Sequence, residues 1–382
     1  MKTVSILGST GSIGRQALQV CENLGYAVVG LAAGSDIDAL ERQAQKYSPR
    51  FIAVAEAKKA DELRLRLRGS GISVLGGNEG VLKVAGADCD IVLNAITGIA
   101  GLKPSLTAIG AGNTLALANK ETLVAGGRKV MEYAAEKGVK IIPVDSEHSA
   151  IFQCIQARGD VGRISKLILT ASGGPFFGRK RGELAAVKPE DALCHPTWNM
   201  GKKVTIDSAT MVNKGLEVME AALLFGVSES MIDVVVHRQS IVHSLVEFID
   251  GSVLAQLGVP DMRTPIQYAL TWPERKPGLA KHLSLAEAGS LDFAAPDDDA
   301  FPAVNAARRA FREGGTVPAV FNAADEVAVA AFLEGRIGFC DITETIEKTL
   351  PVGCGGDDYD FDDVFEADME ARAFAGKLID RR

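Results

Sequence analysis

The sequence predicts an α/β fold in which a doubly wound parallel sheet comes first, an α+β domain follows and a small helical bundle ends the chain. Apolar strands and helical stretches alternate over the first 145 residues, which is typical of a parallel sheet with helices on both faces. β-prone segments lie close together between residues 232 and 257, and only helical patterns follow residue 303. A chain of 382 residues is also too long for one hydrophobic core.

Composition and charge exclude several classes of protein. With 47% hydrophobic and 24% charged residues the chain is an ordinary globular protein, and its net charge of −8 argues against a broad nucleic-acid-binding surface. The six cysteines are scattered without a CxxC pair, so we expect reduced thiols and no zinc site. Apolar runs stay shorter than the roughly 18 residues of a membrane span, and early glycines interrupt the apolar start. We therefore expect a cytoplasmic protein that binds neither membrane nor nucleic acid.

The first strand leads directly into a glycine-rich turn. Residues 3–7 are β-prone, residues 8–14 read GSTGSIG, and residues 15–24 have a helical pattern. This order predicts a Rossmann-like dinucleotide site, because glycines admit a pyrophosphate and the helix N-terminus attracts its charge. A tight turn without a ligand is the alternative, since the spacing is GxxGxxG rather than GxGxxG. We place this domain at residues 1–144.

Further strands of this sheet are predicted, and polar clusters lie at the ends of two of these strands. The predicted strands cover residues 27–32, 51–54, 72–75, 91–94 and 114–118, and a last strand leads into Val144. Ligands bind at the carboxyl ends of parallel strands, which draws attention to residues 94–98 and to Asn119-Lys120-Glu121. Lys120 is either a solvated residue at a helix start or a side chain that reaches into the cleft.

Asp145 and Glu147 open the predicted central domain, residues 145–272. On an extended segment side chains two residues apart point the same way, so these carboxylates are predicted to face one cation. Residues 207–217 (DSATMVNKGLE) add hydroxyls, an amide, a lysine and a third carboxylate, Glu217. Oxygen ligands of this kind suit Mg²⁺ or Mn²⁺. The alternative is that Asp145 only caps a helix that begins at Ser146.

Residues 172–202 have the features of an active-site lid. Ser172 precedes a glycine pair whose backbone is able to wrap an anion, and the following residues show little periodicity. Trp198 and Met200 are predicted to cover a ligand, or alternatively Trp198 anchors the loop to the core. His195 is a candidate for hydrogen bonding to substrate.

The remaining segments are interpreted as structural. Asp250-Gly251 predicts a hairpin, and we interpret His237 and His243 as structural residues at strand edges. Four prolines make residues 273–302 a linker. A bundle over residues 303–382 is predicted by helical patterns at 303–313, 319–334, 342–350 and 363–379. We expect Asp325 and Glu326 to be exposed on their helix.

Together these motifs closely resemble the 1-deoxy-D-xylulose 5-phosphate reductoisomerase family. The resemblance runs nearly end to end and is carried by residues 8–14, 119–121, 144–148, 195–201, 204–217 and 257–265. It implies a homodimeric enzyme that uses NADPH and Mg²⁺, Mn²⁺ or Co²⁺. It further implies that this sugar phosphate is rearranged and reduced to 2-C-methyl-D-erythritol 4-phosphate, a precursor in non-mevalonate isoprenoid synthesis.

The resemblance also implies roles for individual residues. Asp145, Glu147 and Glu217 hold the metal and, with Lys120 and His195, form the catalytic set. The substrate is bound by Lys120, Ser146, Glu147, Ser172, His195, Ser208, Asn213, Lys214 and Glu217, and Trp198 and Met200 belong to the lid. The residues that line the cofactor are Thr10, Gly11, Ser12, Ile13, Gly34, Ser35, Asp36, Asn119, Glu121 and Gly201.

One departure from the family concerns the cofactor. Many relatives have Gly-Lys-Asn where this chain has Gly34-Ser35-Asp36, and an acidic residue there usually favours an unphosphorylated ribose. We still expect NADPH, with Ser35 and a nearby arginine such as Arg42 serving the 2′-phosphate. The competing interpretations are a semialdehyde or homoserine-type dehydrogenase, which needs no three-carboxylate metal site, and a cofactor-sensing scaffold with a vestigial site.

Overall fold

The computed structural model describes residues 1–157, 163–198 and 200–381 and forms two compact units. Unit 1 comprises Met1–Thr122, Val130–Ser149 and Asp261–Lys281. Unit 2 comprises Leu123–Lys129, Ala150–Pro260 and His282–Arg382. Residues 158–162, Asn199 and Arg382 lie outside the described residues. They belong to the predicted central domain, the predicted lid and the predicted bundle, respectively.

Strands and helices alternate along unit 1 as predicted. In chain order they are β1 (Thr3–Leu7), α1 (Ser12–Leu24), β2 (Ala27–Ala33), α2 (Ile37–Tyr47), β3 (Phe51–Val54), α3 (Ala57–Arg66), β4 (Ser73–Gly76), α4 (Gly77–Ala85), β5 (Ile91–Asn94), α5 (Leu102–Gly110), β6 (Thr114–Leu117), α6 (Lys120–Glu136), β7 (Ile141–Pro143) and α7 (Ser146–Gln156). Helices α6 and α7 each continue into unit 2.

The sheet of unit 1 has the order β4-β3-β2-β1-β5-β6-β7, and every neighbouring pair is parallel. Strand order therefore reverses between β1 and β5, and this switch point is where open parallel sheets bind ligands. The predicted doubly wound, Rossmann-like sheet is confirmed.

A later part of the chain returns to unit 1. Residues 261–281 carry α12 (Arg263–Thr271), which packs against α1, β6 and β7. Its Ile266 and Leu270 are completely buried. We had placed residues 261–272 in the central domain and 273–302 in a linker, so the compact units divide the chain differently from the predicted boundaries.

Unit 2 contains a four-stranded, mostly antiparallel sheet of order β11-β10-β8-β9. Its strands are β8 (Ile164–Ala171), β9 (Ile232–Val236), β10 (Val242–Phe248) and β11 (Val253–Leu257). Strand β10 pairs antiparallel with β8 and β11, whereas β8 and β9 pair in parallel. Between β8 and β9 lie α8 (Arg181–Leu184), α9 (Pro189–Ala192), α10 (Lys202–Thr210) and α11 (Val212–Phe225). The hairpin predicted at Asp250-Gly251 joins β10 and β11, and the α+β prediction is confirmed.

Helices dominate the remainder of unit 2. After the one-turn α13 (Leu285–Ala288) come α14 (Ala303–Glu313), α15 (Val317–Leu333), α16 (Phe339–Thr349) and α17 (Phe361–Asp380). Helix α15 contacts α14, α16 and α17 and buries residues on every side, Phe321 and Phe332 among them. The predicted helical C-terminal region is confirmed. Among the described residues, no helix combines the length and apolarity needed to cross a membrane.

Candidate active site

The glycine turn after β1 is built for close backbone approach. A Cβ at Gly14 would lie 2.3 Å from the Gly8 carbonyl oxygen and 2.5 Å from the Ser9 Cα, so only glycine fits there. Gly8 has φ +79°, and a Cβ on it would lie 2.5 Å from the carbonyl oxygen of Ala95, just after β5. The turn therefore sits at the switch point between β1 and β5.

The predicted pyrophosphate residues Thr10, Gly11, Ser12 and Ile13 occupy this turn and the first residues of α1. Gly11 stands at the N-cap position, where it offers no side chain to the first amide groups of the helix. Gly11 and Ser12 are exposed. An uncapped, exposed helix N-terminus suits an anion such as a pyrophosphate.

A buried pair that the sequence analysis missed fixes this turn. The Ser9 hydroxyl donates to Gln43 Oε1 at 2.8 Å, and Gln43 Nε2 donates back to the Ser9 carbonyl oxygen at 2.9 Å. Gln43 lies among the apolar, buried residues of α2, and this polar residue in an apolar stripe was the available signal. The pair holds the glycine turn against α2.

Asp36 has a structural function in this protein. Its Oδ1 accepts a hydrogen bond from the Ala39 amide at 3.0 Å, so it is the N-cap of α2. Gly34, Ser35 and Asp36 are all exposed at the end of β2. Because Oδ1 of Asp36 already accepts the capping hydrogen bond, this oxygen is less available to accept one from a ribose hydroxyl.

Asn119 and Glu121, both predicted to line the cofactor, organise the loop after β5. Asn119 caps α6 through the Thr122 amide at 2.9 Å and donates through Nδ2 to the carbonyl oxygens of Ile96 and Gly98. Glu121 accepts from the Gly98 amide at 3.1 Å. These buried side chains therefore set the position of backbone at the switch point.

Lys120 is not a solvated residue, because its ammonium group is buried and donates to Asp145 Oδ2 at 2.8 Å. His148 Nδ1 lies 3.6 Å from Asp145 Oδ1. Burial alone raises the pKa of Asp145, but Lys120 and His148 outweigh it and hold this pKa well below its usual range. Asp145 is therefore an anion at neutral pH.

The prediction that Asp145 and Glu147 lie on one extended segment was wrong. The segment is not extended, because α7 begins at Ser146 and the Glu147 amide donates to Asp145 Oδ1 at 3.2 Å. Asp145 thus caps α7, as the alternative interpretation held. Glu147 lies in the first helical turn, where its carboxylate accepts a hydrogen bond from the Ser146 hydroxyl. Both carboxylates remain only partly buried.

In unit 2, a loop after β8 forms a cradle beside α10. Gly173 and Gly174 both have positive φ, at +74° and +61°. A Cβ at Gly174 would lie 2.9 Å from the Ala209 Cα and 3.0 Å from the Ser208 carbonyl oxygen. The loop that carries Ser172 therefore packs directly on the helix that carries Ser208, as the anion-site prediction requires.

His195 contacts this loop. Its Nε2 lies 2.9 Å from Ser172 Oγ, and its Nδ1 accepts hydrogen bonds from the amides of Thr197 and Trp198 at 3.1 and 2.9 Å. Burial and, secondarily, the charge of Arg238 lower the pKa of His195. The imidazole is therefore neutral at neutral pH.

The predicted lid residues near His195 are half-buried. The Trp198 ring lies 6.3 Å from the ring of His243, between centroids. Burial lowers the pKa of His243 to about 4, so this imidazole presents an uncharged surface to Trp198. Met200 is also half-buried, and the exposed Gly201 is the N-cap of α10.

Asn213, Lys214 and Glu217 come together on α11. Asn213 Nδ2 and Lys214 Nζ each donate to a different oxygen of the Glu217 carboxylate. Lys214 and Glu217 are almost completely buried, at 3% and 1% exposure. A buried charge needs a partner of opposite charge. Lys214 and Glu217 provide this partner for each other.

The prediction for Asp325 was wrong, because its side chain is completely buried. Lys203 Nζ donates to Asp325 Oδ2 at 2.6 Å and to Asp207 Oδ2 at 2.7 Å. This network joins α10 to α15. Glu326 is also partly buried and pairs with Arg372 of α17 at 2.6 Å.

Three family models match the chain. The model for 1-deoxy-D-xylulose 5-phosphate reductoisomerase covers residues 4–127, that for its C-terminal domain covers 141–225, and a DXP reductoisomerase C-terminal domain model covers 257–374. The chain is 52% identical over 377 residues to the 1-deoxy-D-xylulose 5-phosphate reductoisomerase of Acetivibrio thermocellus, covering 98% of this chain and 99% of that protein. It is 49% identical over 379 residues to the Ruminiclostridium cellulolyticum enzyme, covering 99% of each.

Solved structures agree with these sequence matches. The reductoisomerase from Zymomonas mobilis in complex with NADPH superposes with a TM-score of 0.93 at 43% identity and covers 99% of each chain. A DOX-P reductoisomerase in complex with NADPH, fosmidomycin and magnesium gives a TM-score of 0.93 at 38% identity, covering 100% of this chain and 98% of that one.

Proposed function

The chain belongs to the 1-deoxy-D-xylulose 5-phosphate reductoisomerase family, and from this premise we propose how its own residues divide the reaction. It is an NADPH- and divalent-cation-dependent enzyme that converts 1-deoxy-D-xylulose 5-phosphate to 2-C-methyl-D-erythritol 4-phosphate for isoprenoid precursor synthesis. The observation that carries this conclusion is the match to reductoisomerases over 98–99% of the chain at about half identity.

The residues present fit both cofactors. Gly8 and Gly14 let the backbone of the turn pack closely, and Gly11 leaves the N-terminus of α1 without a side-chain cap, which suits a pyrophosphate. Asp145, Glu147 and Glu217 offer only carboxylate oxygens, which suit Mg²⁺, Mn²⁺ or Co²⁺ ahead of softer metals. We propose these three carboxylates as the metal ligands.

When bound, the divalent cation polarises neighbouring oxygens of the hydroxyketone, and the nicotinamide supplies the hydride that reduces the rearranged aldehyde. Lys120 keeps Asp145 ionised and oriented, and Asp145 in turn fixes the start of α7, where Ser146 and Glu147 are placed. We propose that Lys120 and Ser146 contact substrate hydroxyls.

The phosphate is proposed to bind in unit 2. Ser172, Ser208, Asn213 and Lys214 supply hydroxyl, amide and ammonium donors from a loop and two helices that pack together. Lys214 and Glu217 form an ion pair, and we propose that Lys214 binds the phosphate and Glu217 the cation. Trp198 and Met200 are proposed to exclude water and to retain the aldehyde until hydride transfer.

We propose NADPH as the preferred nucleotide despite Asp36. Support comes from the capping bond to Ala39, which engages the carboxylate of Asp36 in α2. Equal kcat/KM values for NADH and NADPH would contradict this preference.

The decisive experiment follows NADPH consumption by the purified full-length protein with 1-deoxy-D-xylulose 5-phosphate. We expect turnover to require metal, to stop in EDTA and to return with Mn²⁺. A plain semialdehyde or homoserine-type dehydrogenase would consume cofactor with its own substrate in EDTA. Absence of any consumption with this sugar phosphate and metal would favour a scaffold with a vestigial site.

Two wider properties are also proposals. A homodimer is supported by the apolar edge strand β11, where Val253 and Leu254 are 47% and 38% exposed, because such edges invite pairing with a second copy. Sedimentation as a monomer at micromolar concentration would contradict it. A cytoplasmic location is supported by six free thiols, and fractionation of the native cell tests it.

A further inference from the structure

The ring of His195 makes hydrogen bonds that fix which nitrogen carries its proton. The backbone amides of Thr197 and Trp198 both point at Nδ1, at 3.1 and 2.9 Å. A backbone N–H only donates, so Nδ1 must present a lone pair. A neutral imidazole with a lone pair on Nδ1 carries its proton on Nε2.

This tautomer determines the hydrogen bonding of Ser172. With its proton on Nε2, His195 donates to Ser172 Oγ across 2.9 Å. The amide of Gly174 donates to the same oxygen at 3.2 Å. A hydroxyl has two acceptor lone pairs and one proton. Both lone pairs of Ser172 are therefore used, and its proton is left to donate.

We propose that His195 is a positioning residue that acts through Ser172, turning this hydroxyl into a dedicated hydrogen-bond donor toward the phosphate of the substrate. The inference rests on the proposed function and deepens it, since it states how the phosphate site acquires its polarity. A phosphate dianion offers only acceptors, so a hydroxyl that is unable to accept further bonds selects for it and against ligands that must donate.

The surroundings of the imidazole favour the same state. His195 is half-buried, and the neighbouring Arg238 places its guanidinium on the Gly174 carbonyl oxygen at 3.1 Å. Both burial and this positive charge oppose a second proton on the ring. A protonated ring would lose the acceptor for Thr197 and Trp198, so the neutral form also maintains the turn that carries Trp198.

The first test reads the tautomer directly in the ligand-free, full-length protein. Nitrogen chemical shifts of ¹⁵N-labelled histidine distinguish the two neutral tautomers and the cation, and a His195→Asn sample assigns the signal among the five histidines. We expect a neutral ring protonated on Nε2 at neutral pH. A proton on Nδ1, or a doubly protonated ring, would overturn the proposal.

The second test distinguishes the contribution of Nε2, which faces Ser172, from that of Nδ1, which accepts from the turn. Asparagine places its amide oxygen near the position of Nδ1, so His195→Asn keeps an acceptor for the turn but loses the donor to Ser172. Glutamine places its amide nitrogen near Nε2, so His195→Gln keeps the donor and loses the acceptor. Binding of inorganic phosphate, measured by calorimetry on folded variants, then reports which side matters.

We expect His195→Asn and Ser172→Ala each to weaken phosphate binding about tenfold, the effect of one hydrogen bond to a charged ligand. The double variant should lose little more than either single one, because both changes remove the same donor. His195→Gln should bind phosphate more tightly than His195→Asn. Additive losses, or the reverse order of the Gln and Asn variants, would show that His195 does not act through Ser172.

These readouts do not require turnover. A protein with the expected tautomer and phosphate response but no reductoisomerase activity would refute the proposed function alone. An active enzyme with the opposite tautomer would refute this inference alone.

Discussion

The buried network around Lys203 allows the energetic importance of one ion pair to be tested against a matched surface pair. Lys203 Nζ lies 2.6 Å from Asp325 and 2.7 Å from Asp207, and these side chains are 18%, 0% and 2% exposed. Asp325→Asn keeps the shape of the side chain and removes its charge. Lys203 retains Asp207, so the cost is smaller than for a fully abandoned buried charge.

The loss of one charged hydrogen bond in this setting costs about 2 kcal/mol. For a folding unit of roughly 200 residues, that free energy corresponds to a melting temperature lower by about 4–8 °C. Because α10 also carries Ser208, we expect the KM for the sugar phosphate to rise more than kcat falls. Scanning calorimetry and steady-state kinetics on the full-length protein measure both effects.

Asp233→Asn is the control for this comparison. The Lys166–Asp233 pair has the same chemistry and a distance of 2.7 Å, but its side chains are 38% and 50% exposed. Solvent and salt screen such a pair, so the melting temperature should stay unchanged. If Asp325→Asn were no more destabilising than Asp233→Asn, packing alone would hold α10 against α15, and the reasoning would fail.

Three further predictions concern the site itself. Glu217→Gln should remove most metal-dependent turnover and leave the circular dichroism spectrum intact, whereas full activity would refute its role as a ligand. Gly14→Ala places a Cβ 2.3 Å from the Gly8 carbonyl oxygen, so NADPH affinity, read from cofactor fluorescence, should fall at least about tenfold; unchanged affinity would contradict a pyrophosphate site. Burial lowers the pKa of His243 to about 4 from 6.5, so the folded state binds fewer protons between these values. His243 therefore leaves the stability unchanged above pH 6.5 and destabilises the folded state as pH falls from 6.5 toward 4; an NMR titration midpoint near 6.5 would refute it.

The secondary structure was predictable wherever the signal is local. Helix α14 begins and ends at the predicted residues, Ala303–Glu313, and strand β9 (Ile232–Val236) begins where the predicted β-prone region begins. Both have a strong apolar pattern, and Gly314 follows α14 directly with φ +70°. The parallel, doubly wound character of the sheet also followed, because strands that alternate with helices are joined by crossovers over the faces of a parallel sheet.

The return of residues 261–281 to unit 1 had no such local signal. Helix α12 was not predicted as a separate element of the first unit, because its apolar face matches surfaces of α1, β6 and β7 that are more than a hundred residues away in sequence. Long-range packing of this kind is invisible to periodicity. Prolines after α12 suggested a linker, although part of that segment belongs to a compact unit.

The burial of Asp325 could have been recognised. A charged residue usually indicates an exposed face, but α15 (VPAVFNAADEVAVAAFL) is apolar on nearly every side. Such a helix is surrounded by protein, and a carboxylate on it needs a buried cation. The basic residue at position 203 was present in the sequence, but nothing local indicated that α10 and α15 pack together.

Asp145 shows why a structural and a functional interpretation of one residue need not exclude each other. We had set helix capping against metal binding, yet the structure shows that Asp145 caps α7 through one oxygen and accepts from Lys120 through the other. Both contacts fix the rotamer of the side chain, and neither removes its charge. A carboxylate held in this way loses little conformational freedom when it takes up a ligand. For the proposed metal site, capping therefore positions the carboxylate of Asp145 in advance. An Asp145→Ser variant, which also caps helices, should retain α7 while losing turnover in the presence of Mn²⁺.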